Sequence, residues 1–160
     1  GVFFRLPTET EWQYACKAAS NYDPSSIGEY AWHSANSQEK YQKTGSKLPN
    51  HWGIYDMIGN VSEWTMDEFI EPFTTQSEII WPKKKYNTAV RGASYMNEEK
   101  DCQCSFRIKS VTDWQWRDPQ IPKSIWWNTD SPFVGFRLLK PDPQPSKQEI
   151  EAFFNKALNK

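Results

Sequence analysis

No apolar run in the sequence approaches the length of a bilayer-spanning helix, so nothing in it reads as crossing a membrane. Basic and acidic residues nearly balance, 19 against 20, and no basic stripe gathers; the electrostatic footprint of a nucleic-acid binder is missing. Cysteine is scarce. Cys16, Cys102 and Cys104 form an odd trio that defines no disulfide framework and leaves the redox compartment open. There is no phosphate loop and no Ser-His-Asp arrangement. His33 and His51 have no metal-site partner at useful spacing, and both read as ordinary loop residues. No secretion signal precedes Gly1, so that end is expected to be processed, an artificial boundary or part of a longer chain.

What the chain has in quantity is aromatic side chain. Nine Trp, seven Tyr and nine Phe stand in a chain whose mean hydropathy is only -0.82. Large rings without long aliphatic stretches predict a small aromatic core wrapped by ordered loops, and eleven Pro point the same way. A length of 160 residues suits one domain with one core.

Along the chain, Thr8 to Glu11 carries a capping box, and the helix it opens places Trp12, Ala15, Cys16 and Ala19 on one apolar face. Cys16 thus reads as a buried core thiol. Residues 21 to 50 hold no period, with Trp32 as their anchor. Residues 51 to 67 are dense in aromatic and acidic groups. Residues 68 to 88 read as a variable loop in which Lys83-Lys84-Lys85 form a solvated turn. Short strands are predicted at Ala89–Gly92, Cys104–Ile108 and Val134–Leu139, with a Pro- and Trp-rich excursion from Trp114 to Asn128. Pro141-Asp142-Pro143-Gln144-Pro145 is a stiff linker. After it, Ser146-Lys147-Gln148-Glu149 caps an amphipathic helix bearing Ile150, Phe153, Phe154, Ala157 and Leu158. The division is therefore 1–140, a domain, and 141–160, linker and tail helix.

Four blocks in order, Arg5-Leu6-Pro7-Thr8-Glu9-Thr10-Glu11-Trp12-Gln13-Tyr14-Ala15, Pro49-Asn50-His51-Trp52-Gly53-Ile54-Tyr55-Asp56-Met57-Ile58-Gly59-Asn60-Val61-Ser62-Glu63-Trp64, Arg91-Gly92-Ala93-Ser94-Tyr95 and Val134-Gly135-Phe136-Arg137, resemble the formylglycine-generating-enzyme (sulfatase-modifying-factor) family. The resemblance covers the latter part of the family's domain. It implies a missing N-terminal part, in a longer chain or supplied by a partner. It also implies an α+β, C-type-lectin-like fold with little regular secondary structure, to which the C-terminal helix is an addition. That helix is expected to dock on a partner or on the missing N-terminal half rather than on its own domain. An extracytoplasmic setting is implied as well, with relatives that are copper oxidases, sulfoxide synthases or non-catalytic modules.

Two constellations could carry chemistry. Asp56 and Glu63 flank a glycine-containing turn, and hard oxygen donors of this kind suit calcium. The resemblance implies that the Asp56 and Glu63 side chains and the Gly59 and Val61 carbonyls bind it. Asn60-Val61-Ser62 is a formal glycosylation sequon, discounted because a glycan there would conflict with packing. In the family's oxidases two cysteines hold Cu(I). Counting from Ser94, they fall on Asn97 and Cys102, and Asn97 offers no soft donor. Cys104 is either a substitute, sharing a strand face with Cys102 so that both sulfurs reach one metal, or a replacement for a small residue. Ser62, where the oxidases often carry Trp, also points away from oxidation. Arg91, Arg107 and Arg137 are expected to pair with Asp or backbone carbonyls. Trp126 and Trp127 could line a groove or pack. The leading expectation is a non-oxidase binding or scaffold module with structural calcium, taking a peptide or sugar ligand. The alternatives are a copper-dependent oxidase using Cys102 with Cys104, which converts a sulfatase cysteine to formylglycine, and a carbohydrate-binding lectin-like module.

Overall fold

The computed structural model describes residues 1–19, 22–84, 86–115 and 131–158. The Trp126 and Trp127 expectations lie outside these residues, as does most of the excursion they belong to. Regular structure among the described residues is sparse. Helix α1 spans Glu9–Lys17, a single turn α2 spans Ile27–Tyr30, and strands β1 to β4 span Ser62–Glu68, Thr88–Arg91, Arg107–Lys109 and Val134–Gly135. Helix α3, Lys147–Leu158, comes last.

α1 begins where the capping box places it. Thr8 Oγ1 accepts from the Glu11 N–H (3.1 Å), and Glu11 returns to the Thr8 N–H (2.8 Å). Burial alone would raise the Glu11 pKa; its bonds to Arg5 and Thr8 outweigh this and lower it. The buried face of the helix, Glu9, Trp12 and Cys16, lies against the sheet.

The sheet runs β3-β2-β1-β4, with β1–β2 and β2–β3 antiparallel and β1–β4 parallel. β1 is one of its two inner strands and lies where the sequence predicts no strand. Its residues do not alternate apolar with polar. Glu63, Thr65 and Asp67 are buried because each has a partner: Glu63 takes the Trp12 indole N–H (2.7 Å), Thr65 donates to the Ala89 carbonyl (2.8 Å), and Asp67 accepts the Glu9 N–H. Charged side chains thus pin α1 to β1 at both ends. The last predicted strand forms only as Val134–Gly135, with an isolated bridge between Leu139 and Arg5 farther on.

Two sequence expectations are corrected. Cys16 is not a thiol: it is disulfide-bonded to Cys104 across 88 residues, with Cα atoms 5.7 Å apart. Closing a loop of that length contributes about 4–5 kcal/mol in the chain-entropy account. The segment from Cys102 to Phe106 is not a strand either. It bends and turns out of a 3-10 helix at Glu99–Asp101, and β3 starts at Arg107.

α3 forms over the predicted residues, capped by Ser146 and Glu149. It packs on its own chain, with Phe153 edge-on to Phe3 (5.4 Å) and Trp81 (5.4 Å). A partner or an absent half is therefore not what covers Phe153. The Arg5–Leu139 bridge brings the N-terminus beside the approach to α3, and Gln144 accepts the Phe3 N–H (2.6 Å), so Phe3 is already at hand. Phe154 and Leu158 remain exposed.

Candidate functional site

Residues that the sequence places far apart converge on one open cavity of about 690 Å³. Gln13 and Lys17 of α1, Tyr22, Ile27 of α2, and Cys102 with Cys104 from the turn before β3 contribute to its wall. The disulfide ties α1 to that turn, so the covalent link itself holds two walls of the cavity together. The two cysteines were the sequence signal for this site. Gln13, Lys17, Tyr22 and Ile27 carried none.

The structure brings Cys102 and Cys104 to the same cavity in different chemical states. Cys104 is oxidised and has no thiolate to offer. Cys102 is free and buried, its Sγ directed at the Glu98 carbonyl (3.8 Å). Burial first, and then the carboxylates of Asp101 and Glu99, push its thiol up to about 12. A nucleophilic or metal-binding cysteine needs the opposite shift. The alternative in which Cys104 joins Cys102 on one metal is thereby corrected.

Asn97 serves as a turn closer. Its Oδ1 accepts from the Ser94 N–H (2.9 Å) and Ser94 Oγ (2.8 Å), its N–H bonds the Ser94 carbonyl (3.0 Å), and its own carbonyl accepts from Ser34 (2.9 Å). The side-chain oxygen is already doubly engaged. With one high-pKa thiol, one disulfide sulfur and this amide, the donor set does not fit Cu(I). Ser62 is fully buried in β1.

The loop preceding β1 is held tightly. Gly59, at φ +74°, donates to the Gly92 carbonyl (2.6 Å), and a Cβ there would lie 2.5 Å from the Trp32 carbonyl oxygen. Asn60 is buried, accepting from the Gln42 N–H (2.9 Å) and donating to the Gln42 carbonyl (3.2 Å), which leaves no room for a glycan. Asp56 Oδ2 accepts from the Gly45 N–H (2.7 Å), and its Oδ1 lies 3.4 Å from the Asn60 amide. Glu63 is held on both oxygens by Arg137, from Nε (2.5 Å) and Nη2 (2.6 Å), besides the Trp12 indole. The two carboxylates thus face separate partner sets. Val61 packs beside Gly135, whose added Cβ would meet Val61 Cγ2 at 2.9 Å. Calcium takes six to eight oxygens. As arranged, neither carboxylate is offered to it, and among the described residues no three His, Cys, Asp or Glu side chains converge on one point. Both expected carboxylate ligands are thus held by the chain's own donors.

The other arginines form a second buried network. Glu9 pairs with Arg91 (Nε to Oε1, 2.9 Å) and with Arg107 (Nη2 to Oε2, 3.0 Å). Arg91 also reaches the Cys104 carbonyl (2.9 Å) and Gln13 (2.8 Å), which links the ion pair to the cavity wall. The partners are glutamates and carbonyls rather than the expected aspartates. Burial lowers Arg91 to about 10, against the opposing pull of Glu9.

Residues 3–121 match the family described as the sulfatase-modifying factor enzyme 1-like domain. Over 132 residues the chain is 26% identical to the formylglycine-generating enzyme of Mus musculus, with 68% of this chain aligned to 36% of that one. The fold is similar to that of Treponema denticola variable protein 1, with a TM-score of 0.65 and 27% identity over 88% of this chain and 49% of that one. PvdO from Pseudomonas aeruginosa also gives a TM-score of 0.65, at 22% identity over 86% and 52%. The chain spans about half the length of these solved structures and about a third of the murine enzyme.

Proposed function

Because the chain belongs to the sulfatase-modifying-factor family, we propose that it is a member without oxidase chemistry, whose cysteine-flanked cavity serves to bind a ligand. One observation carries this reading. Of the three positions expected near a copper site, Cys104 is tied to Cys16, Asn97 has no soft donor and is committed to its turn, and only Cys102 keeps a thiol. A two-thiolate Cu(I) site needs a second sulfur that these residues do not supply. What survives is a cavity of about 690 Å³, a size suited to a few residues of an extended peptide or to a small molecule. Its wall offers the apolar faces of Tyr22 and Ile27 with the polar Gln13 and Lys17.

The test incubates the protein with Cu(I), oxygen, a reductant and a peptide containing Cys-x-Pro-x-Arg, and looks for the aldehyde by mass spectrometry. No aldehyde is expected. Turnover that disappears in Cys102→Ala overturns the reading.

One observation favours a second reading, a carbohydrate-binding surface. Tyr14 and Trp52 form an edge-to-face pair at 4.9 Å while remaining 68% and 45% exposed, the amphipathic surface on which sugar rings stack. Binding on a glycan array that is lost in Trp52→Ala would support it, and an empty array removes it.

A further inference from the structure

The loop before β1 has the carboxylates expected of a cation site, yet its positive charge comes from within the chain. Glu63 is buried on β1, an inner strand, its side chain 7% exposed. A buried carboxylate requires a counter-charge and hydrogen bonds to its remaining lone pairs. Arg137, two residues beyond the end of β4, supplies both. Its Nε and Nη2 hold the two Glu63 oxygens, and the same Nη2 reaches the carbonyls of Tyr55 and Asp56, each at 3.2 Å. The guanidinium therefore touches a carboxylate and two backbone carbonyls, the oxygen classes that a calcium ion would gather. Its planar fork is suited to that set, where a lysine ammonium would be a single point charge.

We infer that Arg137 is the resident cation of the 55–63 loop and that it makes the fold independent of calcium. The inference rests on the donor geometry alone and stands whether or not the cavity binds a ligand. On this inference the stabilising cation is covalently part of the chain and cannot be removed by a chelator or diluted away.

The experiment has two arms on the full chain. In the first, the melting temperature of the unaltered protein is compared in excess EGTA and in millimolar calcium chloride, with calorimetric titration by calcium alone. The two melting temperatures are expected to agree within about 1 °C, with no binding heat. A higher value in calcium, or a saturable heat, overturns the inference. In the second, Arg137→Gln is compared with Glu63→Gln/Arg137→Gln. The single change leaves a buried carboxylate unmatched and is expected to lower the melting temperature by about 5 °C or more. The double change removes that carboxylate and is expected to recover part of the loss. Recovery separates charge compensation from mere packing, since two packing losses only accumulate. A double variant no more stable than the single one overturns the assignment. If the single variant fails to fold, the calcium arm decides the question alone.

Discussion

Replacing Glu9 by glutamine, a change that keeps the side-chain volume, should be strongly destabilising. Glu9 is 5% exposed and holds two guanidinium groups, those of Arg91 (fully buried) and Arg107 (11% exposed). Two like charges are tolerated side by side because one carboxylate lies between them, and because Phe69 and Phe73 cover the guanidinium faces at 4.4 to 4.8 Å. Glutamine keeps one acceptor oxygen but turns its NH2 group toward one of the arginines. Removing one partner of a buried pair costs about 3–5 kcal/mol, chiefly through the charge left behind. In a domain of this size each kcal/mol moves the melting temperature by about 2–4 °C, so a fall of roughly 6–20 °C is expected. Urea unfolding followed by tryptophan fluorescence gives the free energy directly, and adding Arg107→Gln to the variant should restore part of it. A loss below about 1 kcal/mol, or no recovery in the double variant, would refute the argument that Glu9 compensates these two charges.

Four other outcomes are expected. Cys102 has a folded-state pKa near 12 against about 8.5 when unfolded. Its contribution is therefore complete below pH 8.5 and falls by about 1.4 kcal/mol per unit as the pH rises toward 12, a slope that Cys102→Ala should remove in alkaline urea melts. The same burial should keep its reaction with iodoacetamide at pH 8 far slower in the native protein than in the unfolded chain. Gly59→Ala places a Cβ against the Trp32 carbonyl at a positive φ, and should cost about 2–5 kcal/mol in urea unfolding, from conformation and crowding together. Phe153→Ala should cost about 1–2 kcal/mol and expose the amides of residues 147–158 to hydrogen exchange, because Phe3 and Trp81 hold α3 in place.

Local rules made the helices legible. Both longer helices start at capping boxes, and their apolar positions recur at the helical period, so α1 and α3 follow from short-range chemistry that needs no partner. The family blocks made the fold class legible. β1 was not, and the reason is physical. It buries Glu63, Thr65 and Asp67, polar side chains whose burial makes sense only once Arg137, the Ala89 carbonyl and the Glu9 N–H meet them. Period-two reasoning assumes that the buried face is the apolar one, and here the hydrogen-bonding partners lie up to 74 residues away. The cysteines failed in a related way. Spacing suggested that Cys102 and Cys104 act together, whereas the covalent partner of Cys104 is Cys16, 88 residues earlier, and no local pattern carries that information. The arginine that meets Glu63 is likewise remote, lying past β4 and outside the loop from which the calcium expectation came.

That separation bears on the order in which the chain can mature. Glu63 and its guanidinium are 74 positions apart, and β4, which Arg137 follows, pairs in parallel with the first residues of β1. A chain emerging from synthesis presents α1, the 55–63 loop and β1 well before the group that neutralises Glu63. At about 5–20 residues per second the interval is about 4–15 s. Through that time Glu63 must stay hydrated and the centre of the sheet cannot close around it. The core therefore locks in a late step, triggered when the C-terminal arginine arrives, and a chain truncated before Arg137 lacks the means to finish.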